Sequence, residues 1–123
     1  RGNIKMADKY DSLKLENQLC FPLYACSKEI VRRYKVYLDK LDLTYTQYIV
    51  MMVMWEEKEL NVKELGDKLF LDSGTLTPVL KKLESKGYVI SRNGFPINGF
   101  DFLSVSSLPT YYKVAKTVAK YVL

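Results

Sequence analysis

The densest apolar stretch lies in "LTYTQYIVMMVMWEE", residues 43–57, where Ile49 to Trp55 is hydrophobic on every side of a helix. That pattern predicts a central buried helix. Thr44-x-x-Gln47 has the spacing of a capping box at its start. Periodicity alone would also admit a strand; Met, Gln and Glu favour the helix. Upstream, Leu13, Leu19, Leu23, Ile30, Val31 and Tyr34 predict a first helix running from Asp11–Ser12 towards Leu38 or Leu41, in one segment or two. Pro22 interrupts it. A proline there removes a backbone donor and strands the carbonyl of Gln18, so a bend is expected.

Downstream, "NVKELGDKLFL" opens with Asn61-x-x-Glu64, a second capping pattern, and carries an apolar stripe of Val62, Leu65, Leu69 and Phe70. "LDSGTLTPVLKKLESKGYV" follows. Asp72 or Ser73 can cap a helix with Leu76, Val79, Leu80 and Leu83 on one face, and Gly87 suits its end. Pro78 costs least if that helix starts near Thr75. A β-type segment, "YVISR", comes next. Residues 61–92 thus read as helix, short turn, helix and strand, the outline of a winged helix-turn-helix. From Asn93 the character changes: Asn93–Gly94 and Asn98–Gly99 are turn signals, and "TYYKVAKTVAKYVL" is a candidate amphipathic helix. The expected fold is mainly α with a small β-wing. It forms one domain over 1–123: an N-terminal helix (11–41), a helix-turn-helix core (44–92) and an atypical wing and C-terminal helix (93–123).

Composition narrows the function. The chain has 123 residues, a net charge of +5, two cysteines and no histidine. Without histidine the usual general base and the usual metal ligand are missing. No phosphate-binding glycine loop or paired-carboxylate pattern is present, so an enzyme, a metal site or a cofactor is not expected. No apolar run approaches the roughly 20 residues of a membrane span, and no cleavable signal peptide is visible, so the cytoplasm is the expected compartment.

Two sets of residues can carry chemistry. Ser73, Thr75 and Thr77 lie in the first turns of the second helix of the pair, where hydroxyls and backbone N–H groups can meet bases or phosphates. Lys81, Lys82, Lys86 and Arg92 suit phosphate contact. The alternative is that the hydroxyls only cap and the lysines only solvate. The other set is Cys20 with Tyr24, four residues on and on the same helical face. A phenol there can donate a hydrogen bond to a thiolate and favour it, and an accessible thiolate reacts with peroxide to give a sulfenic acid. The alternative is a cysteine packed as a small hydrophobe. Cys26 has no such partner. Six residues turn a helix by about 600°, so the two thiols face different ways.

"KLENQLCFPLYACSKEI", "LDLTYTQYIV" and above all "LFLDSGTLTPVLKKLESKGYV" resemble the MarR family, specifically its OhrR-type organic-hydroperoxide-sensing repressors. The resemblance covers residues 9–92. It implies a homodimer with one winged helix-turn-helix per subunit, repressing a promoter through an inverted-repeat operator in double-stranded DNA. It makes Cys20 the peroxide-sensing cysteine, with Tyr24 and Tyr34 as the tyrosines that hydrogen-bond the sulfur across the dimer. Oxidation by an organic hydroperoxide would then move the recognition helices and release DNA. The family's arginine-bearing wing is replaced here by "NGFPINGFDFLSVSS". Two alternatives remain open: a regulator switched by a small aromatic ligand, and a C-terminally altered chain acting as a protein-interaction module.

Overall fold

The computed structural model describes residues 9–91, 102–105, 116, 117 and 120. Arg92, the two Asn–Gly turn signals and most of the C-terminal helix candidate lie outside the described residues.

A proline sets where the first long helix begins. Helix α1 spans Cys20–Leu38. Pro22 is its third residue, inside the first turn, where an N–H has no intrahelical acceptor in any case. The expected helix start at Asp11–Ser12 and the bend at Pro22 are therefore corrected. The chain before α1 forms two short 3-10 turns, Asp11–Leu13 and Leu15–Asn17. Gln18 is extended (φ −94°, ψ 130°), so its carbonyl never enters a helical ladder that Pro22 could break.

A further 3-10 turn, Asp39–Leu41, ends on Asp42 in the left-handed conformation (φ 55°, ψ 44°). Thr44 then caps α2, Tyr45–Glu57, through the complete capping box anticipated with Gln47. Lys58, with φ 66°, closes that helix. Strand β1 (Glu59–Asn61) leads directly into α3 (Val62–Leu69), which Asn61 and Glu64 cap reciprocally. Helix α4 spans Ser73–Ser85 with Asp72 as its cap. Its start precedes Thr75, so Pro78 sits past the first turn. The carbonyl of Gly74 therefore receives no amide from position 78. Gly87 (φ 81°) ends α4, with Tyr88 N–H donating to the Leu83 carbonyl at 3.0 Å. Strands β2 (Val89–Ser91) and β3 (Phe102–Val105) complete an antiparallel sheet of order β1-β3-β2. Leu103 faces Leu60 in one ladder and Ser91 in the other.

Packing divides the chain into two units, Arg1–Arg33 and Tyr34–Leu123. The core belongs to the second. Val50, Met51 and Met54 of α2, Leu65 of α3, Leu76, Leu80 and Leu83 of α4, and Val89 and Leu103 of the sheet are all buried there. Tyr34, Tyr45 and Tyr48 form an aromatic trio against it, with centroids 5.6–6.2 Å apart. Burial, then the neighbouring Tyr34 and Tyr45, pushes the Tyr48 phenol up.

In the first unit, Glu29 accepts from Arg32 at 2.6 and 2.8 Å and from Arg33 at 3.2 Å. Hydrogen bonds from Arg32 and then Arg33 lower the Glu29 carboxyl to about 2 from 4.5. A depressed carboxyl stabilises the fold above its unfolded value, and that contribution is lost as pH falls through the folded value. The cluster should therefore persist below pH 4.5 and dissolve only near pH 2. A carbon-detected NMR titration of Glu29 with its midpoint at the ordinary 4.5 would contradict this.

Candidate functional site

Helices α3 and α4 meet through a turn that only a residue without a side chain permits. A Cβ on Gly66 would lie 2.6 Å from the Leu71 carbonyl oxygen and 3.3 Å from Leu76 Cδ1. The Gly66 carbonyl accepts from Leu71 N–H at 3.0 Å. Phe70, left-handed at φ 56° and 93% exposed, makes the reversal between them.

The buried side of α4 is Leu76, Leu80 and Leu83. Opposite it, Gly74, Pro78, Lys81 and Ser85 form an exposed line, flanked by Ser73, Thr75 and Lys82. Asp72 Oδ1 accepts from Thr75 N–H at 2.9 Å, and hydrogen bonding from Thr75 holds its carboxyl below the usual range. The Thr77 hydroxyl, half-buried, donates to the Ser73 carbonyl at 2.7 Å. Thus Ser73, Thr75, Lys81 and Lys82 share an open face, and Thr77 borders it with its proton already used.

The lysines differ in what holds them. Lys63 pairs with Asp67 at 3.3 Å and Lys68 with Glu57 at 3.2 Å. Lys86 pairs with Asp42 and reaches the Gln47 side chain. In the free chain its ammonium is committed to the corner before α2. Lys81 and Lys82 are exposed, and among the described residues neither forms an ion pair.

The thiol of Cys20 is exposed at the first residue of α1, with Sγ 4.0 Å from Gln18 Oε1. Tyr24, one turn on, is 58% exposed and carries Lys28 Nζ 5.2 Å from its ring centroid. Within this single chain no hydrogen bond joins the Tyr24 hydroxyl to the thiol. Tyr34 belongs to the aromatic trio of the second unit. Cys26 is also exposed. Leu13, Leu19 and Leu23, all in the first unit, are exposed as well.

Sequence reasoning missed Gly66, Gly74 and Pro78 as shapers of the helix pair. The first carried a signal, glycine inside an apolar helical stripe. It also missed Asp42 and Gln47 as partners of Lys86, since contacts across some forty residues leave no local pattern.

A helix-turn-helix with an antiparallel three-stranded sheet beside it defines a winged helix-turn-helix protein. The family model "Transcriptional regulator SarA/Rot" matches residues 32–93. The chain belongs to that family of regulators. It is 54% identical over 84 residues to the organic hydroperoxide resistance transcriptional regulator of Bacillus subtilis, covering 68% of this chain and 57% of that one. It is 58% identical over 76 residues to the regulator SarZ of Staphylococcus aureus, covering 62% and 51%. Its fold matches reduced AbfR bound to DNA with a TM-score of 0.74 at 28% identity, covering 94% of this chain and 82% of that one. The chain thus spans little more than half the length of these curated relatives.

Proposed function

We propose that this chain is a DNA-binding repressor that acts as a homodimer on an inverted repeat and is released when an organic hydroperoxide oxidises Cys20. The exposed face of α4 carries the DNA reading. It presents Lys81 and Lys82, which have no carboxylate partner among the described residues, beside the exposed Ser73 and Thr75 and the half-buried Thr77, while Lys63, Lys68 and Lys86 are paired. A face of this kind suits a major groove: hydroxyls can meet base edges, and ammonium groups can meet the flanking phosphates. Gly74 and Pro78 keep the middle of that face low, which lets the helix backbone come close. Arg92 is proposed as a further phosphate contact.

The redox part rests on Cys20. Its sulfur is open to solvent at a helix start. The name of the Bacillus subtilis relative, organic hydroperoxide resistance regulator, supports a hydroperoxide as oxidant. The thiol sulfur attacks the terminal peroxide oxygen and the O–O bond breaks. The thiol proton ends on the departing alkoxide, leaving a sulfenic acid and an alcohol. Tyr24 and Tyr34 are the proposed phenol partners of that sulfur, completed by a second subunit. Leu13, Leu19 and Leu23 of the first unit are exposed and available to such a pairing.

The DNA reading is tested with a fluorescent duplex selected from a random pool by the reduced protein. Lys81→Ala and Lys82→Ala should each weaken binding, and each should reduce the slope of log affinity against log salt by about 0.9. Binding that keeps its full salt slope in both variants would remove these lysines from the interface.

A further inference from the structure

Lys86 follows the last turn of α4, and its side chain turns inward, with 21% of it exposed. Its Nζ donates to the Asp42 carbonyl, lies 3.3 Å from Gln47 Oε1, and lies 3.4 Å from Asp42 Oδ2. An ammonium has three N–H donors, and three oxygens meet it here. Gln47 Oε1 has a second task. It accepts from Thr44 N–H at 3.0 Å, while Gln47 N–H donates to Thr44 Oγ1 at 3.1 Å. One oxygen on a 5%-exposed side chain therefore serves both the cap of α2 and the tail of α4. Asp42 is itself fixed in the left-handed conformation by the turn that joins α1 to α2. A phosphate ligand would have to draw Lys86 away from two hydrogen-bond acceptors and from the Asp42 carboxylate, giving up bonds from a charged donor.

We propose that Lys86 is a positioning residue: it ties the end of α4 to the corner between α1 and α2, and so sets the aim of the face that carries Lys81 and Lys82. The proposal rests on the DNA-binding reading. It turns Lys86 from a DNA contact into the support of one. The Gln47 amide is the relay between the two helix ends, because moving α2's cap moves the oxygen that Lys86 holds.

Two measurements on the full chain test it. The first compares Lys86→Met, Lys86→Arg and Lys81→Ala on the selected duplex across a salt series. Losing hydrogen bonds from a charged donor should weaken binding by Lys86→Met roughly tenfold. The salt slope should stay that of the parent, whereas Lys81→Ala loses about 0.9 of it. Lys86→Arg, which keeps charge and donors, should restore most of the affinity. A Lys86→Met slope that falls like that of Lys81→Ala makes Lys86 a phosphate contact and overturns the proposal. Unchanged affinity overturns it too. The second measurement needs no DNA. Hydrogen exchange of the Thr44 amide should accelerate in Lys86→Met, and an unchanged rate would overturn the clamp. A parent chain that selects no duplex overturns the DNA reading, and the exchange rate still decides whether the clamp exists.

Discussion

Gly66→Val is expected to destabilise the helix-turn-helix by on the order of 3 kcal/mol, the upper range for forcing atoms into a packed site. The first added carbon already meets a backbone oxygen, Leu71 O, at 2.6 Å. A flexible side chain could swing aside; a carbonyl in a tight turn can move only by shifting the turn. Leu76 Cδ1 at 3.3 Å closes the other escape. Alanine is a milder test, because its better helix propensity, worth about 1 kcal/mol over glycine, works against the clash. Valine has little such compensation. In a domain of this size each kcal/mol lowers the melting temperature by about 4 °C, so circular-dichroism melting should show a loss of roughly 10 °C. Because α3 and α4 would splay, binding to the selected duplex should fall as well. A valine variant that melts with the parent would show that the two helices do not depend on this close approach.

Cys20→Ser should leave binding of the selected duplex within about twofold of the parent while abolishing its response to hydroperoxide. A serine hydroxyl replaces the sulfur almost isosterically at an exposed position, so the fold has no reason to change. It cannot form a sulfenic acid. The parent, in contrast, should lose affinity by roughly tenfold or more on oxidation, the usual size of a coupling between two sites. Cys26→Ser should respond as the parent does, since Cys26 has been given no part in the switch. The pair of variants separates the two exposed thiols. Release of Cys20→Ser by hydroperoxide, with Cys26→Ser silent, would move the sensor to Cys26.

Much of the helical framework was legible in the sequence because its signals are local. Thr44 with Gln47, Asn61 with Glu64 and Asp72 with the amide of Thr75 each act within one turn, so their spacing alone locates α2, α3 and α4. The leucines of α4 mark its buried face for the same reason. The start of α1 was misjudged because apolar residues at Leu13 and Leu19 imitate a helical stripe. Two 3-10 turns produce the same spacing over so short a run, and the proline two residues after Cys20 marks the true beginning. Strands β1 and β3 had no readable signal. Three or four residues are too few to show an alternation, and β3 pairs with partners more than ten residues away. The residue types on the open face of α4 could be read from the sequence, and the inward partners of Lys86 could not. Sequence gives a lysine's place along a helix, while the oxygens that hold its ammonium come from Asp42 and Gln47, set by the packing of α2 against α4.

The central claim is that one oxygen atom on Cys20 loosens the grip on DNA. The most direct test follows the fluorescence anisotropy of the selected duplex while the reduced protein is titrated with cumene hydroperoxide to one equivalent. Intact mass and peptide mapping are read from the same samples. The account predicts that the anisotropy falls in proportion to the fraction of chains carrying a single added oxygen on Cys20, and that a thiol reductant restores both. Full mono-oxidation of Cys20 with the complex still intact would contradict it.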